Sequence, residues 1–551
     1  MEAVKTLIRR SRHGAALILS MIFLVIFSAL AVSMATMSGS NVQLANNHHK
    51  VNTALCAAQS GIECGKYLAR SVVLESTNTN YVTTTQANTA WLNLCQHMQD
   101  ISLDNQTVPS PTRFTDGNGS GDQIVSQQIN YGNPNSDFSV RFYRYDSDPH
   151  IIKLEATGTD GDVTRTITVD MKITKDSEVL NYAIASRGRM WITGDSTIYG
   201  DIYSSWDRAD ISPFNMTSDS QVLGTINTIL DLDEILNNNY QLETLDENGN
   251  PIDQQGNPLG TNYEDRYYGP DDEIQGYHEG INYDQMEMEM PGMDISDYDT
   301  DDYKDIVINQ GSGDIPTSET IEVEYFPHAS GNYNYPRDGS PSNTWNLQLN
   351  RHVYENQTFT NARLPDNRNA LFKNCTFEGI LYIDCYKNTS SYYNNVRFDN
   401  CQFNGVIVTD VPQQFKWQHN CLYFTGEADF NNTSDIQEAT VLAPHFNVNL
   451  GNTNPQQSDN NVITGAIVGG IVDVRGNAQI YGTIISMCDT TQWSSGYVTN
   501  IGATLDDGGS ETTDPGDVGY IEITPDEEQM LPSGITTPII IKPIFSTYTE
   551  G

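Results

Sequence analysis

From Ala15 to Met37 the chain carries 23 residues without a charge, AALILSMIFLVIFSALAVSMATM, preceded by Arg9, Arg10 and Arg12. At ~1.5 Å per residue this run is one helix long enough to cross a bilayer. The basic flank predicts a cytoplasmic N-terminus, a single pass through the inner membrane and export of the bulk of the chain. The helical pattern continues past the apolar run. Val51, Leu55, Ala58, Ile62 and Cys64/Leu68 recur every three or four positions with no proline between them, an amphipathic stripe. Ala15 to about Ala69 then reads as one helix of roughly 80 Å, apolar in its first half and one-sided in its second. Ala29-Leu30-Ala31 would suit the cleavage site of an ordinary secretory signal, but a removed signal needs no register-matched extension.

The period then changes. Residues 75–123 are polar and turn-rich, with a short helix near Trp91–Met98. FSVRFYRY from Phe138 and IIKLEATGTDGDVTRTITVDMKI from Ile151 alternate apolar and polar positions, with Gly158 to Asp162 as a hairpin turn. A small antiparallel sheet packed on the helix stripe follows from that pattern, because an apolar stripe needs a covering layer.

Two internal repeats organise the remainder. ITGDSTIYGDIYS at 192–204 and VRGNAQIYGTIIS at 474–486 align without a gap and share the Ile-Tyr-Gly core. FKNCTFEGIL at 372–381 and FDNCQFNGVI at 398–407 lie 26 residues apart, with NCLYFTG at 420–426 as a looser third copy. Short strands broken by Gly, Asn or Asp at such periods suit stacked solenoid coils, which would bring Asn374 near Asn400 and Cys375 near Cys401. The fold class expected is α+β, mainly β. A long N-terminal helix and a small antiparallel sheet precede a right-handed parallel β-helix that starts near Tyr182, is interrupted, and resumes near Thr344.

The interruption is acidic. Residues 211–330 hold 27 Asp and Glu against Arg266 and Lys304, within a chain of formal charge −42. That balance excludes nucleic-acid binding through a basic surface. TINTILDLDEIL reads as a short helix, and the two GNP triplets in LDENGNPIDQQGNPLG as tight turns. The following segment is too polar for its own core: it either wraps along the solenoid on its Tyr and Met residues, which its aromatic content favours, or is partly disordered.

SRHGAALILSMIFLVIFSALAVSMA, followed by AAQSGIE, resembles the N-terminus of type IV pilin-like proteins, particularly PilX-type minor pilins and the largest minor pseudopilin of type II secretion. GTDGDVTRTITVDMKI is similar to their β-meander. The resemblance implies cleavage by a prepilin peptidase after Gly14, with Ala15 as the mature N-terminus and a retained helix that packs with other pilin-like subunits. Where major pilins carry a glutamate at the fifth mature position, this chain has Leu19, which implies a sparingly used or tip-located subunit rather than a bulk one. The expected organisation is a leader at 1–14, the pilin-like helix at 15–72 and the β-meander at 73–178. First β-helix coils at 179–206, the acidic insertion at 207–343, further coils at 344–490 and a loop with a capping tail at 491–551 complete it. The function implied is structural or adhesive, in a pilus or secretion machine at the membrane or cell surface, with a surface ligand as a further partner.

Few residues suggest other chemistry. Asp297, Asp299 and Asp301 in DISDYDTDDYKD place hard oxygen ligands at alternate positions, as Ca²⁺ requires, but lack the glycine and terminal glutamate of an EF-hand loop. A solvated acidic strip is the ordinary reading, and LDDGGSETTDPGD at 505–517 is weaker still. A β-helix enzyme acting on polysaccharide, or a carbohydrate-binding protein, is the alternative function. The repeats offer it Asp384, Asp399 and Asp410 among mostly Asn, Thr and Gln, and no nucleophile elbow, zinc motif or phosphate loop accompanies them. No catalytic residue and no cofactor beyond Ca²⁺ is assigned. Cys64 with Cys95 is the one disulfide considered outside the repeats.

Overall fold

The computed structural model describes residues 2–101, 106–133, 135–192, 196–207, 213–216, 220–230, 244–245, 251–252, 276–283, 285, 292–326, 347–385, 394–415, 419–430, 439–451, 461–475, 478–487, 498–502, 521–526 and 531–551. The chain divides into two compact units. One comprises Met1–Leu74, Val82–Thr174 and Ile540–Gly551; the other comprises Glu75–Tyr81 and Lys175–Ile539.

In the first unit the helix α1 runs unbroken from Glu2 to Arg70. Its buried positions are Ala54, Ala57, Ala58, Gly61, Ile62, Gly65, Leu68 and Ala69, which keep Ala58, Ile62 and Leu68 of the expected stripe and shift the rest towards small residues. The shift has a steric cause. A Cβ on Gly61 would lie 2.8 Å from Ala156 Cβ, one on Gly65 2.5 Å from Leu154 Cδ1, and one on Gly158 2.2 Å from the Ala54 carbonyl. The strand Ile151–Asp160 therefore lies against the backbone of the helix, with alternate residues 154, 156 and 158 meeting successive helical turns. The hairpin closes with Asp160 opposite Val163. The strands run in the order Thr112–Asp116, Gly119–Val125, Ser136–Tyr145, Ile151–Asp160, Val163–Lys175, with Ile129–Asn133 also paired to Ser136–Tyr145.

A second helix, α2, spans Thr84–Asp100 and is longer than the expected Trp91–Met98 segment. A reciprocal capping box between Thr83 and Gln86 starts it about two turns earlier. The tail expected to cap the last solenoid coil does something else. Thr537–Glu550 is a strand whose residues from Ile540 onward belong to the first unit, joined to Val163–Lys175.

The second unit is a β-helix-like stack within a 22-stranded sheet whose coil strands pair in parallel. One column of its interior can be followed residue by residue: Gly313, Ala362, Leu381, Ile407, Val441, Ile467, Ile484, Ile184, Ile202, Ile226, Ile281. The order corrects the expectation of a coil interrupted and simply resumed. The later coils begin at the far end of the stack and wind towards the first ones. Strand Ile484–Ser486 therefore hands over to Tyr182–Ser186, and Ile521–Thr524 to Ser196–Tyr199. The acidic segment is also not wholly an insertion, because Phe214–Met216, Gln221–Thr228 and Tyr277–Asn282 are coil strands. Thr225–Thr228, read as helical, is strand; residues 231–243 of that region lie outside those described.

The 26-residue repeat sits in register, Phe372 opposite Phe398 and Phe377 opposite Phe403. Two interior aromatic ladders result. Tyr354, Phe372, Phe398 and Phe424 stack at 4.9, 5.5 and 5.0 Å, and Phe359, Phe377, Phe403 and Phe430 at 5.5, 5.2 and 4.8 Å. Asn374 and Asn400 turn the corner between them at φ 50° and 53°, a left-handed conformation that asparagine tolerates.

Because Ile281 and Gly313 close opposite ends of the column, the chain between them runs the height of the stack, about 48 Å at ~4.8 Å per strand. The 31 residues between them reach about 100 Å when extended, so the span accommodates the ten-residue helix α3, Asp301–Gln310. Met293, Tyr298, Tyr303 and Val307 of this strap are buried with Tyr382, Val408, Leu442, Val468 and Ile485, the outward neighbours of the interior column. Coil strands such as ILYI and VIVT are therefore apolar on both faces.

Candidate functional site

The least satisfied surface is on α1. Described side chains from Ala16 to His49 are exposed, among them Leu17, Phe23, Leu24 and Phe27 at 52 to 69 %. A helix of this hydropathy, with none of its apolar window buried, is built to meet lipid or other helices rather than water. Gly14 and Ala15 lie within its continuous helical backbone, and Leu19 is 59 % exposed. Ser20 and Thr36 direct their hydroxyls back to the carbonyls of Leu17 and Val32, so neither leaves an unpaired polar group on the apolar surface.

The change from exposed to buried occurs near residue 50. Lys50 Nζ donates to Asp162 Oδ1 at 2.7 Å, tying α1 to the hairpin turn. That hydrogen bond raises the lysine and lowers the carboxyl from their ordinary values. From there the three glycines seat the helix on the sheet, leaving the segment before Lys50 projecting free. Sequence reasoning found the apolar run and the stripe but missed the glycine seating, whose signal was the matched small residues AAQSGIECG and EATGT. The seven described cysteines are free thiols, so Cys64 and Cys95 are not joined.

The strap holds the expected acidic candidates. Asp297 Oδ2 accepts from the Gly292 and Asp294 amides at 3.0 and 3.4 Å, and burial raises its pKa. Asp299 Oδ1 accepts from the Asp301 amide at 3.1 Å, and Asp301 opens α3. Among the described residues no group of three or more His, Cys, Asp or Glu is placed to hold a metal ion. Residues 505–517 lie outside those described.

Asp384 and Asp410, on adjacent coils, converge on Lys304 of α3 at 2.7 and 3.3 Å. Arg363 reaches Asp384 at 3.3 Å, and the Tyr382 hydroxyl donates to Asp410 at 2.8 Å. Burial raises Asp384 despite the lysine. Burial also works to lower Lys304, but its hydrogen bond to Asp384 and the Asp410 charge more than offset this, leaving it raised. The pair is thus a clamp on the strap, its charges already matched. Asp399 lies elsewhere, accepting from Thr425 at 3.2 Å.

Residues 13–63 match the PilX N-terminal family model. Among solved structures the chain is similar to the competence-associated pilin ComZ from Thermus thermophilus, 12% identical over 91% of this chain and 97% of that one. The TM-score is 0.22, at which the superposition carries no argument about fold. No curated protein matches the chain.

Proposed function

We propose that this chain, whose residues 13–63 match the PilX N-terminal family model, acts as a minor pilin-like or pseudopilin-like structural subunit. Its machine is a type IV pilus or a type II secretion-like assembly, and its place is at a filament tip, where its second unit serves adhesion. The observation that carries this reading is the projecting apolar half of α1, which has no covering surface among the described residues. In the membrane that half is solvated by lipid, and in a filament it packs against the same half of other pilin-like helices. Leu19 removes the charge by which a bulk subunit would neutralise a neighbour's terminal amine, which supports a sparing role. The charge-matched state of Asp384 and Asp410 favours this structural reading over a carboxylate enzyme.

The test is the N-terminal residue of the mature protein recovered from cells. Ala15 is expected, together with loss of processing and assembly when Gly14 is replaced by a bulky residue. A start near Val32 would mean ordinary signal cleavage and would overturn the proposal.

A further inference from the structure

The Ile-Tyr-Gly repeat has a consequence on the outside of the stack. Ile480, Ile523 and Ile198 occupy one interior column. The tyrosine that follows in each repeat copy therefore points outward. Tyr481 is opposite Thr524, and Tyr199 is one residue beyond the Ile198–Ile523 pair, so the two tyrosines share an outer column with a single threonine between them. They are 40 % and 37 % exposed. Two strand spacings separate them by about 9.6 Å. A parallel outer column runs Gln479, Glu522, Thr197, Gln221 and ends on Tyr277, which is 56 % exposed. Gln479 Nε2 donates to Glu522 Oε2 at 3.4 Å.

We propose that this strip is a binding platform for a neutral, extended, β-linked polysaccharide. Three properties of the strip select that partner. Aromatic faces at a spacing of two strands match the repeat at which successive disaccharides of such a chain present the same apolar ring face. The Thr524 hydroxyl between the tyrosines and the Gln479 and Gln221 amides of the neighbouring column can donate to and accept from sugar hydroxyls alongside them. Charge completes the argument: the strip carries Glu522 and no cation, on a chain of net charge −42, so an anionic polymer is repelled and an uncharged one is not. The flat strand backbone fixes the tyrosines before binding, so little ordering opposes association. The platform rests on the adhesive part of the function proposed above, but it is assayed on purified protein. Failure to bind therefore leaves processing at Gly14 unaffected, and failure of processing leaves binding unaffected.

The experiment is affinity electrophoresis of the full chain in detergent through gels containing hydroxyethylcellulose, with polygalacturonate as the anionic counterpart. Retardation by hydroxyethylcellulose alone is expected. Tyr199→Ala and Tyr481→Ala should each weaken it about tenfold, and Tyr→Phe at either position should keep it, because a ring stack survives loss of the hydroxyl. Hydrogen exchange in Ser196–Tyr199 and Ala478–Tyr481 verifies that the coils are intact. An unretarded wild-type chain, equal retardation by polygalacturonate, or a folded Tyr199→Ala/Tyr481→Ala protein that binds as wild type would each overturn the platform.

Discussion

Gly158→Ala is the sharpest test of how the pilin-like helix is held. The added Cβ would lie 2.2 Å from the Ala54 carbonyl oxygen and 2.3 Å from the Ala58 amide nitrogen. Both are backbone atoms of a continuous helix, so no rotamer change relieves the clash. Reaching ordinary contact at 3.4 Å requires the helix to retreat by about 1.2 Å. That gap opens beneath Ala54, Ala57, Ala58 and Ile62, whose contacts weaken together. Overpacking costs about 1–3 kcal/mol, and an unyielding backbone places this case near ~3. At about 1.4 kcal/mol per decade, amide protection in Ile151–Asp160 and in residues 54–69 should fall by about 100-fold. Gly65→Ala provides the contrast. Its Cβ meets the flexible end of Leu154, and the helix gains about 1 kcal/mol from alanine, so its net effect should stay within ~1 kcal/mol. Unchanged protection in Gly158→Ala would refute the glycine seating, and equal damage from Gly65→Ala would refute the contrast between a backbone and a side-chain neighbour.

Three further outcomes follow from the second unit. Phe403→Ala removes a ring stacked at 5.2 Å on Phe377 and 4.8 Å on Phe430 and should cost about 4 kcal/mol. Hydrogen exchange should show that loss in strands Thr376–Ile383 and Cys421–Phe430 while Ile151–Asp160 is unaffected. Lys304→Met leaves Asp384 and Asp410 facing each other and should loosen the strap by about 2 kcal/mol, reduced from a fully buried pair by the partial exposure of the lysine; faster proteolysis within 292–310, partly restored by Asp410→Asn, is the readout. Arg363 holds Asp314 through hydrogen bonds of 2.7 and 2.9 Å and lowers its pKa. That stabilisation is present above the unfolded value of 3.8 and is lost as pH falls through the lower folded value. Protection around Gly313–Asp314 should therefore decline below pH 3.8 more steeply in the wild type than in Asp314→Asn, as pH-dependent exchange would measure.

By itself, the sequence determined whatever depends on neighbours along the chain. Uncharged residues 15–37 require a non-aqueous partner wherever they go, and the alternation from Phe138 to Ile173 permits one hairpin register with its apolar face inward. The 26-residue repeat placed Phe372 over Phe398 because equal spacing gives equal position in successive coils. The tertiary structure decided the associations between distant segments. Nothing local marks Ile484 as the neighbour of Ile184, since any apolar coil strand offers the same backbone ladder to any other. The sequence named the acidic segment's Tyr and Met residues as anchors along the solenoid, as Met293, Tyr298 and Tyr303 are, and only the fold set them, with Val307, against Tyr382, Val408 and Leu442. The C-terminal strand likewise read as a cap, because β-propensity says that TTPIIIKPIF pairs but leaves its partner open. Local periodicity fixes which face of an element is buried; which element buries it is set by the competition among all faces of the folded chain.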